Sequence, residues 1–262
     1  MPTLKKAVAA ACLHLPLRET LVAAAEIGAD GVQFDGRNEL RPSDLSQTGR
    51  RQFLKLAAEL NLALPSFRFS SRRAFHDVND LERRIEATKA AMEFAYHLGA
   101  KILTLRIGRI PAEDSPQYAI LRDVLNGIAR HGNHVGVAAA VTPSGDSPAE
   151  LARLFGDVTD GPFGLDFDPA GLLMTGHQPV PLLRELHASI FHVQARDALQ
   201  DVSGSGVEVP LGRGEIDWME FVATLDEIGY RGWLTVTRTQ GEDRAADAAR
   251  ALKYLRNIDA PE

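Results

Sequence analysis

The chain has 262 residues, a length that suits one domain and crowds two. Hydrophobic residues make up 45%, enough to build a large core, and 24% are charged, as in ordinary globular proteins. The formal net charge of −6 lacks the basic footprint of a nucleic-acid binder, and the single cysteine, Cys12, excludes an intrachain disulfide and a cysteine-based zinc site.

The run from Met1 to Cys12 has two lysines followed by small apolar residues, superficially like a secretion signal. Leu13-His-Leu-Pro-Leu-Arg18 cuts it short, and a first strand over Ala7–Leu13 fits better. No stretch reaches the ~20 apolar residues of a membrane span, so a soluble cytoplasmic protein without a membrane partner is expected.

From there, short apolar segments alternate with longer amphipathic ones. Helix Leu17–Ile27 ends at Gly28 and leads to strand Gly31–Asp35, then helix Ser46–Leu60 and strand Ala63–Phe69. Helix Asp80–Leu98 gathers Leu81, Ile85, Met92, Ala95 and Tyr96 on one side and precedes strand Lys101–Ile107. Helix Ser115–His131, strand Val135–Val141 and helix Ser147–Phe155 follow; Ser147-Pro-Ala-Glu150 is a capping-box pattern with proline at the first helical position. Strand Phe163–Asp168, helix Val180–His187, strand Ile190–Ala195, helix Asp217–Ile228, strand Trp233–Thr237 and helix Asp243–Ile258 complete the series. Ile102-Leu-Thr-Leu105 and Ile190-Phe-His-Val193 are continuously apolar or nearly so, as in strands buried on both faces of a parallel sheet.

Eight strand–helix units in one domain, residues 1–262, predict an α/β fold of the (β/α)8 TIM barrel class, closed by pairing Ala7–Leu13 with Trp233–Thr237. An open doubly wound sheet is the alternative. It lacks the glycine-rich phosphate-binding turn after the first strand.

Several segments resemble the sugar phosphate isomerase/epimerase family, whose barrel is that of xylose isomerase and endonuclease IV. They are Gly28-Ala-Asp-Gly-Val-Gln33, Arg84–Leu98, Asp168-Pro-Ala-Gly-Leu-Leu173, His192-Val-Gln-Ala-Arg-Asp197 and, the most specific, Pro210-Leu-Gly-Arg-Gly-Glu-Ile-Asp-Trp218 followed by Gly229-Tyr-Arg-Gly-Trp-Leu-Thr-Val236. The resemblance spans nearly the whole chain. It implies an isomerase or epimerase acting on a sugar, sugar acid or sugar phosphate, with one divalent cation held by glutamate, aspartate, histidine and glutamate at the ends of strands five to eight. At those positions this chain has Thr142, Asp168, Gln194 and Thr237, and Gln33 stands where relatives usually carry glutamate on strand two. One ligand of four is retained, so no bound metal and no other cofactor is expected.

The remaining candidates follow from position. Asp168 and His192 are the candidate acid–base residues; Asp168 can equally cap the turn after strand six, and His192 can equally be a satisfied buried histidine. Arg68, Arg72, Arg73, Arg106, Arg109, Arg196 and Arg238 fall at or past the C-terminal strand ends, where barrel sites lie. Arg68, Arg106, Arg109, Arg196 and Arg238, with Gln194, Thr142 and Thr237, are the expected substrate-binding set. Converging guanidiniums suit a small carboxylate or phosphate ligand; the alternative is internal pairing with Asp35, Asp166, Asp168 and Asp197. Gly212-Arg-Gly-Glu215 is either a ligand loop or a plain turn. Two function classes stay open, an isomerase/epimerase-like enzyme or a catalytically inactive barrel that binds or regulates, and a homo-oligomer is compatible with either.

Overall fold

Strands pair in parallel around a cylinder until the last meets the first. The computed structural model describes residues 4–200 and 206–259. Its barrel strands are β1 (Lys5–Ala9), β2 (Gly31–Asp35), β3 (Phe67–Arg68), β4 (Ile102–Leu105), β5 (Ala138–Val141), β6 (Phe163–Phe167) and β7 (Ile190–Ala195). An antiparallel hairpin, β8 (Asp197–Gln200) with β9 (Gly206–Val209), follows β7, and β10 (Trp233–Val236) closes the barrel between β7 and β1. The closure runs Lys5↔Trp233 to Val8↔Val236, the first-to-last pairing expected. Around it lie α1 (Leu17–Glu26), α2 (Gln47–Glu59), α3 (Leu81–His97), α4 (Pro116–Val135), α5 (Pro148–Asp157), α6 (Pro169–Met174), α7 (Pro179–Glu185), α8 (Trp218–Glu227) and α9 (Arg244–Ile258). Among the described residues no helix is long and apolar enough to cross a membrane.

Several boundaries differ from the sequence reading, four of them with a structural consequence. The first strand stops at Ala9 because Ala10–Cys12 winds into a 3-10 turn and His14 takes φ +52°, which redirects the chain into α1. The third is regular only at Phe67–Arg68; Pro65, which has no N–H to donate, interrupts the earlier part, and Ala63 makes an isolated bridge to Gly31. α4 continues to Val135, taking residues assigned to strand five. The turn expected at Asp168-Pro-Ala-Gly171 opens α6.

Side chains alternate across each strand. Val8, Val32, Phe67, Leu103, Val141, Leu165, Val193 and Leu234 are fully buried on the outer face, beneath the helices, and that layer is the hydrophobic core. The inner face is small and polar: Ala7, Ala140 and Gly164 with Gln33, Ser66, Thr104, Asp166, His192 and Thr235. Bulky branched residues usually fill such a lumen; here Gln33, Ser66, Asp166, His192 and Thr235 fill it with hydrogen-bonded side chains, and the buried Thr104 hydroxyl has no partner among the described residues.

At the N-terminal end the lumen is plugged by Trp233, with the Lys5 ammonium 5.4 Å from its ring. The buried Lys6 pairs with Asp259, and Asp259 also accepts the Leu4 N–H at 2.8 Å, which ties β1 to the segment following α9. Gly31 is required beside this plug: a Cβ there would lie 2.6 Å from Ala63 O and 3.0 Å from the Trp233 ring. Gly31→Ala is expected to cost about 1–3 kcal/mol by overpacking; an unchanged midpoint in chemical denaturation would refute the plugged arrangement.

Candidate functional site

Halfway up the lumen is a carboxylate with no exposure to solvent, Asp166 on β6. A register shift between Leu165 and Asp166 sets it opposite His192 of β7, the re-aiming a bulge provides. His192 Nδ1 is 2.7 Å from Asp166 Oδ1, Thr142 donates its hydroxyl to Oδ2 at 2.6 Å, and the Gln194 amide donates to both oxygens at 3.2 and 3.0 Å. Thr237 donates to Gln194 Oε1 at 2.6 Å. On the far side of the imidazole, Nε2 is 2.8 Å from the Thr235 hydroxyl and 3.0 Å from that of Ser66, which accepts a 2.7 Å hydrogen bond from Gln33. Ser66 and His192 belong to strands that are not neighbours, so this chain of contacts crosses the lumen.

Burial by itself penalises the Asp166 charge, but the His192 ring and the donors around it outweigh that penalty and hold the carboxyl below its usual range. An ionised Asp166 can only accept, so His192 Nδ1 carries the hydrogen facing it.

Above this layer, at the C-terminal mouth, charges alternate. Asp168 accepts the Gly171 N–H at 3.0 Å, capping α6, and is ion-paired to Arg196. Arg196 reaches Glu208 of the hairpin at 2.6 Å, Glu208 takes Arg238 at 3.1 Å, and Arg238 Nε meets Asp247 at 3.0 Å. Thr239 gives Glu208 its N–H at 2.7 Å and its hydroxyl. Burial disfavours the Arg196 charge, but Asp168 and Glu208 raise its pKa above the ordinary arginine range. The carboxylates of Asp168 and Glu208 are committed to guanidiniums.

Two of the predicted arginines keep free capacity there. Arg106, just past β4, is solvent-exposed and has no carboxylate within 4.0 Å among the described residues. Partial desolvation of its guanidinium end lowers its pKa, Asp168 opposes the shift, and repulsion from Arg68 and Arg196 adds to it, so these groups share one field. Arg68 is 3.9 Å from Asp35. Direct contact with Asp168 is made by Arg196, and Arg238 joins through Glu208; Arg106 feels the charges of Asp168, Arg68 and Arg196, and the exposed Arg109 acts on Glu150 of α5.

Asp197 corrects another expectation. It pairs with no arginine among the described residues; its carboxylate accepts from Gly212 N at 2.8 Å, Gly214 N at 3.1 Å and Trp218 Nε1 at 3.1 Å, so the glycine-rich loop is pinned to β8. A Cβ on Gly214 would come within 2.0 Å of that carboxylate, which explains the glycine without a ligand. Cys12 is buried, its thiol pushed up to about 12 by burial.

Two residues of the site escaped the sequence reading. Glu208 lies on the unpredicted hairpin, where Gly206-Val-Glu-Val209 has the alternation of a short strand. Glu39, past β2, lines a cavity of about 270 Å³ together with His14. Burial raises its carboxyl to about 7, and Asp35 adds to the rise, against a 2.7 Å hydrogen bond from Asp35 N and the charge of Arg68.

The Glu39 shift has a signed consequence. With a folded-state value of about 7 against an ordinary 4.5, the folded chain binds this proton more tightly than the unfolded chain. Its contribution to stability is complete below the ordinary value, declines as pH rises towards 7, and is constant above. Glu39→Gln should remove that decline. Denaturation midpoints of both proteins from about pH 5 to pH 8 test this; parallel curves would contradict it.

Against known proteins, the family model for xylose isomerase-like TIM barrels matches residues 21–258. An inosose dehydratase from Geobacillus thermodenitrificans is 25% identical over 246 residues, covering 79% of this chain and 80% of the relative. A xylose isomerase domain protein from Planctomyces limnophilus superimposes with a TM-score of 0.86 at 24% identity over 98% of each chain. An L-ribulose 3-epimerase superimposes with a TM-score of 0.80 at 15% identity, covering 97% of this chain and 94% of its own. With its matched span, its closed parallel barrel and its polar mouth, the chain belongs to the xylose isomerase-like TIM barrel family.

Proposed function

We propose that the barrel mouth binds a small polyhydroxylated anion, a sugar acid or sugar phosphate, and does so without a resident divalent metal. The observation that carries this reading is Arg106: an exposed guanidinium past β4 with no ion-pair partner among the described residues, in one field with Arg68, Arg196 and Asp168. A forked donor left over where every nearby carboxylate is engaged suits a carboxylate or phosphate oxygen pair. Thr142, partly exposed at the rim, donates its hydroxyl hydrogen to Asp166 and keeps its oxygen as an acceptor for a ligand hydroxyl. The similarity to an inosose dehydratase and an L-ribulose 3-epimerase supports the sugar-like part of the proposal.

The family resemblance implies a divalent cation, and the donor set does not fit one. Of Thr142, Asp168, Gln194 and Thr237 only Asp168 is anionic, and it faces the Arg196 guanidinium. Thr142 and Gln194 donate to Asp166, and Thr237 donates to Gln194, so these side chains are spent on one another. A hard dication needs several anionic or carbonyl oxygens converging on it, and a neighbouring guanidinium repels it. Among the described residues no three His, Cys, Asp or Glu side chains converge as metal ligands.

Binding is favoured over turnover by the state of the bases. Removing a proton next to a carbonyl needs a base within reach of substrate. His192 is fully buried with both ring nitrogens engaged, and Asp168 is ion-paired. The enzymatic reading survives through Glu39, whose carboxyl near 7 lies in the range suited to proton transfer.

Titration calorimetry with sugar acids, sugar phosphates and their neutral parent sugars tests the binding reading. Anionic members should bind, and Arg106→Ala should weaken them by about 1.5–3 kcal/mol, roughly ten- to a hundredfold. Equal affinity for neutral and anionic sugars would refute it. Elemental analysis after dialysis against manganese should find no stoichiometric metal; near-unit occupancy that disappears in Asp168→Asn would overturn the metal-free assignment. Solvent deuterium incorporated into a sugar, and lost in Glu39→Gln, would favour turnover instead.

A further inference from the structure

Guanidiniums are concentrated where the loops after β2 and β3 meet the start of α3. A cavity of about 300 Å³ there is lined by Arg37, Arg72, Arg73, Arg83 and Arg84, with Asp80 as the one carboxylate. Of these, Arg73 is paired to Asp77 at 2.9 Å. The others have no carboxylate within 4.0 Å among the described residues. In a chain of net charge −6, such a grouping repels itself unless an anion shares it.

Two of these arginines show what is missing. Arg84 is only 8% exposed and is held by backbone carbonyls of Ala74, Asn79 and Asp77; its Nε has no partner. Neutral carbonyls satisfy its donors without compensating its charge, a costly state for a buried cation. Arg37 is stacked 4.4 Å from the Phe69 ring, which fixes its plane, and its Nε is likewise buried without a partner.

The helix adds to this. α3 is 17 residues long, and its N-cap, Asp80, takes φ +53° and makes no side-chain cap. Asp80, Arg83 and Arg84 all line the cavity, so the uncapped positive end of the helix dipole lies beside the guanidiniums.

We propose that this cavity is an anion site for a phosphate-class dianion, with Arg37, Arg72 and Arg83 as its guanidinium donors and Arg84 as the buried charge that the anion compensates. The assignment is independent of the ligand proposed for Arg106. A groove of about 680 Å³ shares Arg37 and Arg72 with the cavity and extends to Arg68, so the phosphate is either free or the far end of a ligand seated at the mouth.

Calorimetry of the full chain with inorganic phosphate and with pyrophosphate is the test. Saturable binding is expected, falling steeply with added salt. Arg72→Ala and Arg83→Ala, both at exposed positions, should each weaken it about tenfold while leaving the far-ultraviolet spectrum and melting behaviour unchanged. Arg106→Ala should leave phosphate binding intact, which separates failure of this site from failure of the mouth. A hexose monophosphate that binds more tightly than phosphate, and loses that advantage in Arg106→Ala, identifies the phosphate as part of the mouth ligand; equal affinity identifies a free anion. No saturable binding of phosphate or pyrophosphate at millimolar concentration, or binding unchanged in the Arg72→Ala/Arg83→Ala double variant, would overturn the proposal.

Discussion

A carboxylate sealed inside a barrel has to be compensated from within, and the lumen is arranged around that demand at Asp166. Leaving an ionised carboxylate unpaired there would cost several kcal/mol, and removing one partner from such a group typically costs 3–5 kcal/mol. Strands β2, β6, β7 and β10, with Thr142 just past β5 and Ser66 just before β3, each contribute at least one side chain to the resulting network. A hydrogen-bond chain that crosses the lumen fixes opposite walls relative to each other, which apolar packing does with less directional specificity. Small inner residues, Ala7, Ala140 and Gly164, leave the room the network occupies.

The same accounting applies one layer higher. Asp168, Arg196, Glu208, Arg238 and Asp247 form an alternating row from the end of β6 to α9, each member 11% exposed or less at its side chain. The row fastens the β8–β9 hairpin to the mouth through Glu208. It also consumes most of the charge that a ligand could use, and this gives Arg106 its prominence: it stands in the field of the row without belonging to it. Ligand selection at the mouth therefore falls to residues outside the row.

The architecture was readable because it rests on period and order. Gly31–Asp35 and Ile190–Ala195 match the sequence reading residue for residue, since their apolar runs are bounded by turns. Ala63–Phe69 did not hold, because Pro65 and two-residue pairing are tertiary matters that an apolar run conceals. At the site, the types were legible and the partners were not. Asp168 reads as a cap or a functional carboxylate, and it is both an α6 cap and an ion-pair partner. Asp166 and Asp168 share a strand face in sequence, yet one faces a histidine and the other an arginine; only the bulge in β6 and the hairpin after β7 decide that. Glu208 could not be placed before its hairpin was known. Glu39 carries no motif, and its raised carboxyl arises from burial that no local pattern announces.

The distances within Ser66, His192 and Asp166 are those of a nucleophile, its base and the group that orients the base, yet the surroundings give them a different task. A nucleophile must be reached by substrate and must release its proton to the base. Ser66 is fully buried, and its oxygen accepts from Gln33 while the imidazole divides its Nε2 between Ser66 and Thr235. Competing donors and acceptors of this kind stabilise the resting arrangement, and any proton movement would have to break several of these hydrogen bonds among fully buried side chains. Geometry alone would thus assign chemistry to the wrong layer. The distinguishing quantity is unspent charge: Asp166 is compensated by the side chains around it, while Arg106 and the buried Arg84 have no carboxylate partner among the described residues, and it is at such residues that this barrel can meet another molecule.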